Sequence, residues 1–352
     1  MKNSKSKKII LILTAVLLAF TLSACTGTEE AEQTAEFPEE INFGILRVPN
    51  DETIAMVEGY FEEYLGEGEI ELNYTVFDSG AEANQALASG SIDFATMGNV
   101  NAVTSLSRDL GVEMIWIHEV LGEIEALAVK DGSGIETVED LAGGRVAVPF
   151  ASTCHYVLLN LLREAGIEDE VQLLDMQTTE IVAAWKRGDV NAAYLWQPTL
   201  GEVLETGKVL VDSKEMAERG YITANVEVVQ KEFAEQYPQL VTSFITMLSE
   251  AGDIYRADPE RAAEIVSQTL EITPEEALTQ MQGSTWLTRE EQLSEDFFGT
   301  SEEPGHFAVV MKNTSDFLQT QELIDYSPSQ EEFNEYVNPE FIERSLNQSQ
   351  EN

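Results

Sequence analysis

A pair of hydroxyl residues, Ser152 and Thr153, stands where the sequence predicts the start of a helix. An apolar segment at residues 146–148 precedes the pair, and an apolar helix is predicted over residues 157–165. Serine and threonine are favoured N-caps, and the first N–H groups of a helix carry partial positive charge without an intrahelical acceptor. Such a helix start can bind an anionic group without lysine or arginine. A plain N-cap that faces water is the alternative.

A second helix start of this kind lies earlier in the chain, at Ser79 and Gly80. The strand predicted over residues 72–78 ends just before it, and glycine lets a backbone approach a ligand closely. We therefore expect this turn to be a second place where the backbone can contact a ligand. An ordinary turn between a strand and a helix is the alternative.

A carboxylate, Glu125, stands directly before the apolar run at residues 126–129. This position predicts that the side chain is partly buried, and a buried carboxylate needs a cation. Because lysine and arginine are scarce in this chain, the ammonium group of a ligand is one candidate for that cation. A solvated surface glutamate is the alternative, since most acidic side chains lie at the surface.

Amide and aromatic side chains follow two other predicted strands. Asn99 and Asn101 follow the strand at Phe94, and their two amides can hydrogen-bond a ligand at modest desolvation cost. Trp196 and Gln197 follow the strand predicted over residues 192–195. We expect the tryptophan to form an aromatic wall, which can also attract a ligand ammonium group.

Patterns for catalysis or metal binding are weak. Cys154 and His155 are adjacent, and neighbours on a helix do not face each other, so they form a poor pair of nucleophile and base. The three histidines, His118, His155 and His306, show no HxxxH spacing, and the cysteines are not paired. We therefore predict no catalytic residues, no metal site and no cofactor, and we expect His155 to line a pocket.

Alternating strands and helices must position these residues. The order strand, helix, glycine, strand occurs twice, around Asp78 and Gly90 and again around Asp175 and Gly188, at offsets of 97 and 98 residues. This internal repeat predicts two lobes of the α/β class with the same β-α-β core. Ligands of open α/β sheets bind at the carboxyl ends of the strands. A chance likeness between two generic α/β patterns is the alternative.

The charge balance excludes one class of partner. Of the 352 residues, 64 are acidic and 20 are Lys or Arg, which gives a net charge of −44. Such a field repels phosphate backbones, so we predict no nucleic-acid binding. With 43% hydrophobic residues, the chain is a globular protein with an acidic surface and not a disordered acidic polymer. Its length suggests two domains.

The N-terminus predicts a compartment. Basic residues 2–8 precede an apolar stretch at residues 9–22, which is too short for a membrane span and suits a signal peptide over residues 1–24. Leu22-Ser23-Ala24-Cys25 has the pattern that lipoprotein signal peptidase cuts. We expect Cys25 to be lipidated on the outer face of the bacterial cytoplasmic membrane, with residues 25–40 as a flexible tether. An ordinary signal peptide with an incidental cysteine is the alternative.

Several motifs together resemble the taurine-binding proteins of ABC transporters, within the aliphatic-sulfonate and nitrate-binding group. The most specific is the run from Val148 to Tyr156, VPFASTCHY; IVAAWKRGDV, AAYLW, FDSGA, EAL, ALASG and WLT also fit. The resemblance implies a two-lobed periplasmic-binding-protein fold of type II, with a mixed sheet flanked by helices in each lobe. One lobe would comprise residues 41–127 and 226–352, and the other residues 128–225. A monomer of this kind closes on a small sulfonate, taurine first, and delivers it to a permease and its ATPase.

The resemblance also implies roles for particular residues. Glu125 should hold the ligand amine, while the helix starts at Ser152-Thr153 and Ser79-Gly80 should surround the sulfonate. The chain departs from the family pattern at residues 99–101, which replace a Ser-Ser-Pro run, and at Asn225, which stands where taurine binders carry an aspartate. The remaining residues expected at the ligand are Arg47, where the family often has glutamine, His155, Tyr156, Asn99, Trp196 and Gln197.

Other functions remain open from the sequence. Within the same class, the ligand could be another alkyl sulfonate or a nitrate-type anion. An enzyme of the pyrimidine-precursor type uses the same two-lobed scaffold, but the lipoprotein signal at Cys25 argues against it because such an enzyme has no reason to be anchored outside the cell. A surface sensor or adhesin is a third interpretation, which a neighbouring gene for a permease would exclude.

Overall fold

A computed structural model describes residues 37–66 and 70–351 of the chain. The signal peptide predicted over residues 1–24, Cys25 and all but the last residues of the predicted tether lie outside the described residues. Pro38–Asn352 form one compact unit. Among the helices in the described part of the chain, none combines the length and the apolar character that a membrane span requires.

Two five-stranded sheets organise the described residues. The strands are β1 (Glu40–Leu46), β2 (Glu71–Phe77), β3 (Phe94–Gly98), β4 (Val112–Val120), β5 (Glu125–Lys130), β6 (Arg145–Val148), β7 (Gln172–Asp175), β8 (Ala192–Trp196), β9 (Gly207–Asp212) and β10 (Ala224–Gln230). The first sheet has the order β2-β1-β3-β10-β4, and the second has the order β7-β6-β8-β5-β9. In each sheet the first three strands are parallel and the fourth is antiparallel to both of its neighbours.

Helices flank both sheets. They are α1 (Asp51–Glu58), α2 (Tyr60–Leu65), α3 (Gly80–Ser89), α4 (Asn99–Ser107), α5 (Thr153–Ala165), α6 (Thr178–Arg187), α7 (Thr199–Leu204), α8 (Ser213–Glu218), α9 (Lys231–Gln236), α10 (Pro238–Ala257), α11 (Pro259–Leu270), α12 (Pro274–Gln282), α13 (Arg289–Gln292), α14 (Phe307–Thr320), α15 (Gln330–Tyr336) and α16 (Glu340–Glu351). Short 3-10 turns cover Glu139–Leu141 and Glu168–Glu170.

The matching strand orders confirm the predicted internal repeat. β2, α3 and β3 in the first sheet correspond to β7, α6 and β8 in the second. Both helices end at the predicted glycines, Gly90 and Gly188, which have φ values of 68° and 80°. A residue in this left-handed conformation closes a helix at little cost only when it lacks a Cβ atom. The α/β class with two mixed sheets is therefore confirmed.

Two chain crossings connect the sheets. The first lies between β4 and β5, and the second lies between β9 and β10. The predicted lobe boundaries, at residues 127 and 225, fall inside β5 and β10, so each crossing lies a few residues earlier in the chain. The sequence does not mark these crossings, because the residues on either side of the predicted boundary are equally hydrophobic. In the second sheet, β5 is buried from Glu125 to Val129.

The central strands are buried on both faces and read as continuous apolar runs, which is typical of sheets covered by helices. In the first half of the molecule, Phe43 and Phe94 stack with ring centroids 5.2 Å apart, and Phe244 from α10 lies 4.7 Å from Phe94. These contacts pack α10 against the first sheet. The sheets in turn hold the loops at the ends of their strands, where the site lies.

Candidate ligand-binding site

One hollow collects the carboxyl ends of the parallel strands from both sheets. The space that the centre of a water molecule can reach inside it is about 40 Å³. Its lining comes from the ends of β1, β2, β3, β6, β7 and β8 and from the starts of β5 and β10. The lining residues are Leu46, Val48, Ser79, Gly80, Ala81, Gly98, Asn101, Leu121, Ile124, Glu125, Pro149, Phe150, Ala151, Ser152, Thr153, Gln177, Trp196 and Asn225.

Four helices begin at this hollow. The N-cap residues of α3, α4, α5 and α6 are Ser79, Gly98, Ser152 and Gln177, and all of them line it. Each helix start directs unpaired N–H groups and a partial positive charge toward its N-terminal side. The helix starts therefore offer donors suited to an anion, although no lysine or arginine is among the described lining residues of the hollow.

The hydroxyl groups at these starts are occupied by the helices themselves. Ser152 Oγ accepts a hydrogen bond from His155 N at 3.2 Å and donates one to Pro149 O at 2.6 Å. Ser79 Oγ accepts from Glu82 N at 3.4 Å. The two backbone N–H groups that follow Ser79 and the two that follow Ser152 have no acceptor within residues 37–66 and 70–351. These are the N–H groups of Gly80, Ala81, Thr153 and Cys154. Backbone donors are thus the anion contacts that remain available.

Glu125 lies in the wall of the hollow and is almost fully buried, with 2% of its surface exposed. Thr153 Oγ1 and Cys154 Sγ (3.5 Å) contact Oε1. Ser213 Oγ and Thr223 Oγ1 donate to Oε2 at 2.9 and 3.2 Å. Burial raises the pKa of Glu125, although these four contacts oppose the shift. A nearby cation would lower this pKa again, so the site favours positive charge at this wall.

Asn225 forms the neighbouring part of the same wall. Its Nδ2 donates to Glu119 Oε1 at 2.5 Å, and Glu119 is fully buried behind it. Burial raises the pKa of Glu119 to about 8. At neutral pH this carboxyl group is therefore mostly neutral, and the Asn225 position adds no full charge to the hollow.

Seven of the residues predicted at the ligand line the hollow: Ser79, Gly80, Glu125, Ser152, Thr153, Trp196 and Asn225. The other five lie outside the described lining. Arg47 forms an exposed ion pair with Asp78, with Nε and Oδ1 3.2 Å apart. Gln197 Oε1 accepts from Gly201 N at 3.0 Å in the first turn of α7. Asn99 bridges Ile222 O and Ala224 N between the sheets.

His155 and Tyr156 follow the helix start but turn away from the hollow. Successive residues on a helix point about 100° apart, so α5 cannot direct four neighbouring side chains at one ligand. His155 is buried and stacks on Phe150 with ring centroids 4.3 Å apart, and burial lowers its pKa to about 4. Tyr156 packs against Phe317 in the core. His155 supports the loop that carries Phe150 and does not contact the hollow directly.

Some features of the lining were not identified from the sequence. Gln177 corresponds to Gly80 under the 97-residue offset of the internal repeat, so the repeat could have identified Gln177. Asn101, one of the two amides expected after β3, lines the hollow; its Nδ2 donates to Ala151 O at 2.7 Å and thereby joins α4 to the loop after β6. Ala151 has a φ of 55°, an uncommon conformation for a residue with a Cβ atom. No sequence pattern reveals this contact or this conformation.

Comparisons with known proteins identify relatives of this chain. The family model described as the substrate-binding domain of an ABC-type glycine betaine transport system matches residues 48–259. A taurine-binding periplasmic protein of Escherichia coli (strain K12) is 33% identical over 77% of this chain and 84% of that protein. A putative aliphatic sulfonates-binding protein of Bacillus subtilis (strain 168) is 24% identical over 91% of this chain and 95% of that protein.

The fold has a close counterpart among solved structures. The periplasmic aliphatic sulphonate binding protein SsuA from Escherichia coli superposes with a TM-score of 0.69 at 20% identity, over 84% of this chain and 91% of that chain. At this identity the likeness concerns the fold alone. The family model covers more than half of the chain, and the relatives are binding proteins. The chain therefore belongs to the family of substrate-binding domains of ABC-type transport systems.

Proposed function

We propose that this protein captures taurine, or a closely related small sulfonate that carries an amine, in the hollow and delivers it to an ABC importer. One observation carries the proposal: four helix starts and one buried carboxylate line the same hollow, and its described lining includes no lysine or arginine. This combination suits a zwitterion, with its anion at the helix starts and its cation at Glu125.

The N–H groups of Gly80, Ala81, Thr153 and Cys154 supply hydrogen bonds to the sulfonate oxygens. Hydrogen bonds to a charged acceptor are stronger than neutral ones, and the preformed helix dipoles add to them. The ligand ammonium group lies toward Glu125. There the contact from Cys154 Sγ is the weakest of the four, and the ammonium group takes its place.

The size of the hollow supports a small ligand. A water molecule needs roughly 10–15 Å³ of such centre-accessible volume, so about 40 Å³ holds roughly three or four water molecules. That is about 100 Å³ of liquid, the space of a molecule with roughly half a dozen heavy atoms. Taurine is of this size, whereas aromatic sulfonates are larger.

A ligand screen tests the proposal. Thermal unfolding of the purified protein is measured with taurine, ethanesulfonate, sulfate and nitrate. A ligand present at 100 times its dissociation constant stabilises the folded state by about 2.7 kcal/mol. We expect taurine to raise the melting temperature most, by several degrees, and sulfate and nitrate to have little effect. Greater stabilisation by nitrate or sulfate would contradict the proposal.

An amine-free alkyl sulfonate is the second candidate, and a specific observation favours it. Both oxygens of Glu125 already have partners, and Asn225 is neutral where taurine binders are expected to carry an acid. If these contacts stay in place, Glu125 has no free oxygen that could accept a hydrogen bond from an ammonium group. Ethanesulfonate in the screen separates the candidates, since it has the taurine skeleton without the amine.

The pH dependence of binding should differ between the two ligands. Burial raises the pKa of Glu125 above its ordinary value of 4.5, and only the ionised carboxylate attracts an ammonium group. As the pH falls through the raised pKa, taurine affinity should fall, while ethanesulfonate affinity should stay constant or increase because a repelling charge is lost. Isothermal titration calorimetry between pH 8 and pH 4 measures both. Parallel pH profiles would argue against contact between Glu125 and the amine.

A binding role, as opposed to an enzymatic one, is supported by the side chains nearest the helix start. Burial raises the pKa of the Cys154 thiol well above its ordinary value, so it is not a thiolate nucleophile at neutral pH. His155 is neutral and stacked on Phe150. The described lining thus contains no activated nucleophile with a base beside it.

We further propose that the mature protein is a lipid-anchored monomer on the outer face of the cytoplasmic membrane. The Leu22-Ser23-Ala24-Cys25 pattern supports this location, as do relatives whose names place them in the periplasm. There it delivers the ligand to the permease, which works with an ATPase partner.

Replacing Cys25 with alanine should prevent lipidation of the protein. Two acyl chains hold a protein firmly at a bilayer, and alanine has no thiol to carry them. We expect the C25A variant to lose incorporation of labelled palmitate and to keep its uncut signal peptide, with unchanged ligand affinity. Replacing Cys154 with serine is the control and should leave palmitate incorporation and signal-peptide cutting unchanged. Labelled palmitate in C25A would contradict the anchor.

A further inference from the structure

A second group of buried polar side chains lies between the first sheet and α1, outside the lining of the hollow. Thr96 on β3, His118 on β4 and Glu227 on β10 project from neighbouring strands of the first sheet. Asp51 and Glu52, in the first turn of α1, contact them. We call these five residues the acidic cluster. Each of them is no more than 2% exposed.

The histidine of the acidic cluster is held from both sides. His118 Nδ1 lies 2.5 Å from Asp51 Oδ1, and His118 Nε2 lies 3.0 Å from Glu227 Oε2. Trp116 Nε1 donates to the other oxygen of Asp51 at 2.8 Å. Asp51 is therefore fixed in place and orients the imidazole ring, so that Nε2 faces the glutamate side of the cluster.

The acidic cluster contains too little positive charge. Thr96 Oγ1 contacts Glu52 Oε2 and lies 2.9 Å from Glu227 Oε2, yet a hydroxyl group has one proton to donate. Oε1 of Glu52 and Oε1 of Glu227 are buried with no hydrogen-bond partner among the described residues. In the described part of the chain, His118 is the only basic residue that pairs with these acids. Buried carboxylates without partners strongly destabilise a fold unless they take up a proton or a cation.

We propose that Glu52, His118 and Glu227 bind one divalent transition-metal ion of the zinc type. One ligand atom from each residue lies within 4.8 Å of the others. Nitrogen and oxygen ligands lie about 2.0–2.2 Å from zinc, and so about 3.5 Å from one another in a tetrahedral site. Shifts of about 1 Å in these side chains would close the cluster around an ion.

The surroundings fit a metal site in two further respects. A histidine whose Nδ1 bonds a carboxylate while Nε2 faces the other ligands is the usual arrangement at a metal site; Asp51 supplies that carboxylate, and Nε2 faces Glu227. An imidazole nitrogen with carboxylate oxygens suits zinc or manganese, whereas soft thiolate ligands are not needed. On binding, the Nε2 lone pair of His118 coordinates the ion, and the proton between Nε2 and Glu227 leaves to solvent.

The ion would connect α1 to the first sheet. Its ligands come from α1, β4 and β10, so binding joins elements that are far apart in sequence. The site is separate from ligand capture, because none of its three ligands lines the hollow. We therefore expect it to stabilise the folded protein and not to act in sulfonate binding.

Anomalous X-ray scattering tests the proposal. The many surface carboxylates can hold zinc weakly, so the ion must be located and not only counted. Crystals of the purified protein grown with equimolar zinc should show one strong anomalous peak at the zinc absorption edge among Glu52, His118 and Glu227. Calorimetry on chelator-treated protein should find one tight site, and zinc should raise the melting temperature. The absence of a peak at these residues would overturn the proposal.

Two histidine variants provide the matched comparison. H118Q should bind zinc at least 100-fold more weakly, whereas H306Q, which removes an exposed histidine, should keep the tight site. D51N removes the carboxylate that orients His118 and should weaken binding by about 10- to 100-fold. If H118Q does not fold, D51N and the anomalous peak decide the matter. Equal zinc affinity of the folded variants and the native protein would mean surface binding only and would refute the site.

Discussion

Replacing Ala81 with aspartate should abolish sulfonate binding while leaving the fold intact. Ala81 lines the hollow in the first turn of α3, where an acidic residue interacts favourably with the helix dipole. The same carboxylate would lie beside the bound sulfonate, and two like charges about 4 Å apart repel by about 4 kcal/mol at an effective dielectric constant of 20. We expect the affinity for taurine and for ethanesulfonate to fall by at least roughly 100-fold, measured by calorimetry.

The A81N variant is the matched control, because asparagine has nearly the same shape without the charge. It should retain most of the affinity. The melting temperature of ligand-free A81D should equal or exceed that of A81N, which separates loss of binding from loss of folding. If A81D and A81N bind sulfonates equally well, the helix starts do not hold the anion.

Replacing Glu125 with glutamine should weaken taurine binding selectively. The variant keeps an acceptor for Thr153, and the hydroxyl groups of Ser213 and Thr223 can rotate to accept from the new amide. The charge is lost, however, and a hydrogen bond to a charged group contributes about 1.5–3 kcal/mol. We expect a loss of roughly 30-fold for taurine and less than about threefold for ethanesulfonate, both measured by calorimetry.

Glu123 offers the control for this variant. It lies two residues away, forms an exposed ion pair with Lys214 and does not line the hollow. E123Q therefore removes the same charge from the same segment and should leave both affinities unchanged. If E125Q lowered both affinities equally, Glu125 would support the structure of the wall and not recognise the amine.

The fold could be predicted largely because its two halves share one pattern. The repeat around Asp78 and Asp175 predicted the parallel core of each sheet, and glycine helix stops marked equivalent positions. The boundaries were less accurate. The strand predicted over residues 72–78 covers Glu71–Phe77, because Asp78 belongs to the turn before α3. Hydrophobic periodicity locates the core of an element and does not locate its ends.

Site residues could be predicted where strand order alone places them at the hollow. They could not be predicted where the direction of a side chain depends on packing between elements. Ser79, Ser152 and Glu125 each stand at a strand end or strand start, so topology alone brings them together. Arg47 is also at a strand end, but its side chain pairs with Asp78 at the surface. Which way a side chain turns depends on its neighbours in space, and these are not visible in a single sequence.

The acidic cluster shows the same limit more strongly. Its proposed ligands, Glu52, His118 and Glu227, are separated by 66 and 109 residues, so no short motif contains two of them. The sequence therefore predicted no metal site. Sheet order brings β4 next to β10, and only then do the three side chains meet.

A crystal structure of the protein with taurine, with the ligand sulfur located by its anomalous signal, tests the central claim most directly. We predict one sulfur peak in the hollow, with sulfonate oxygens within hydrogen-bond distance of the N–H groups of Ala81 and Cys154, and with the amine toward Glu125. A sulfonate bound outside the hollow, or one bound inside it with the amine at the helix starts, would contradict the account.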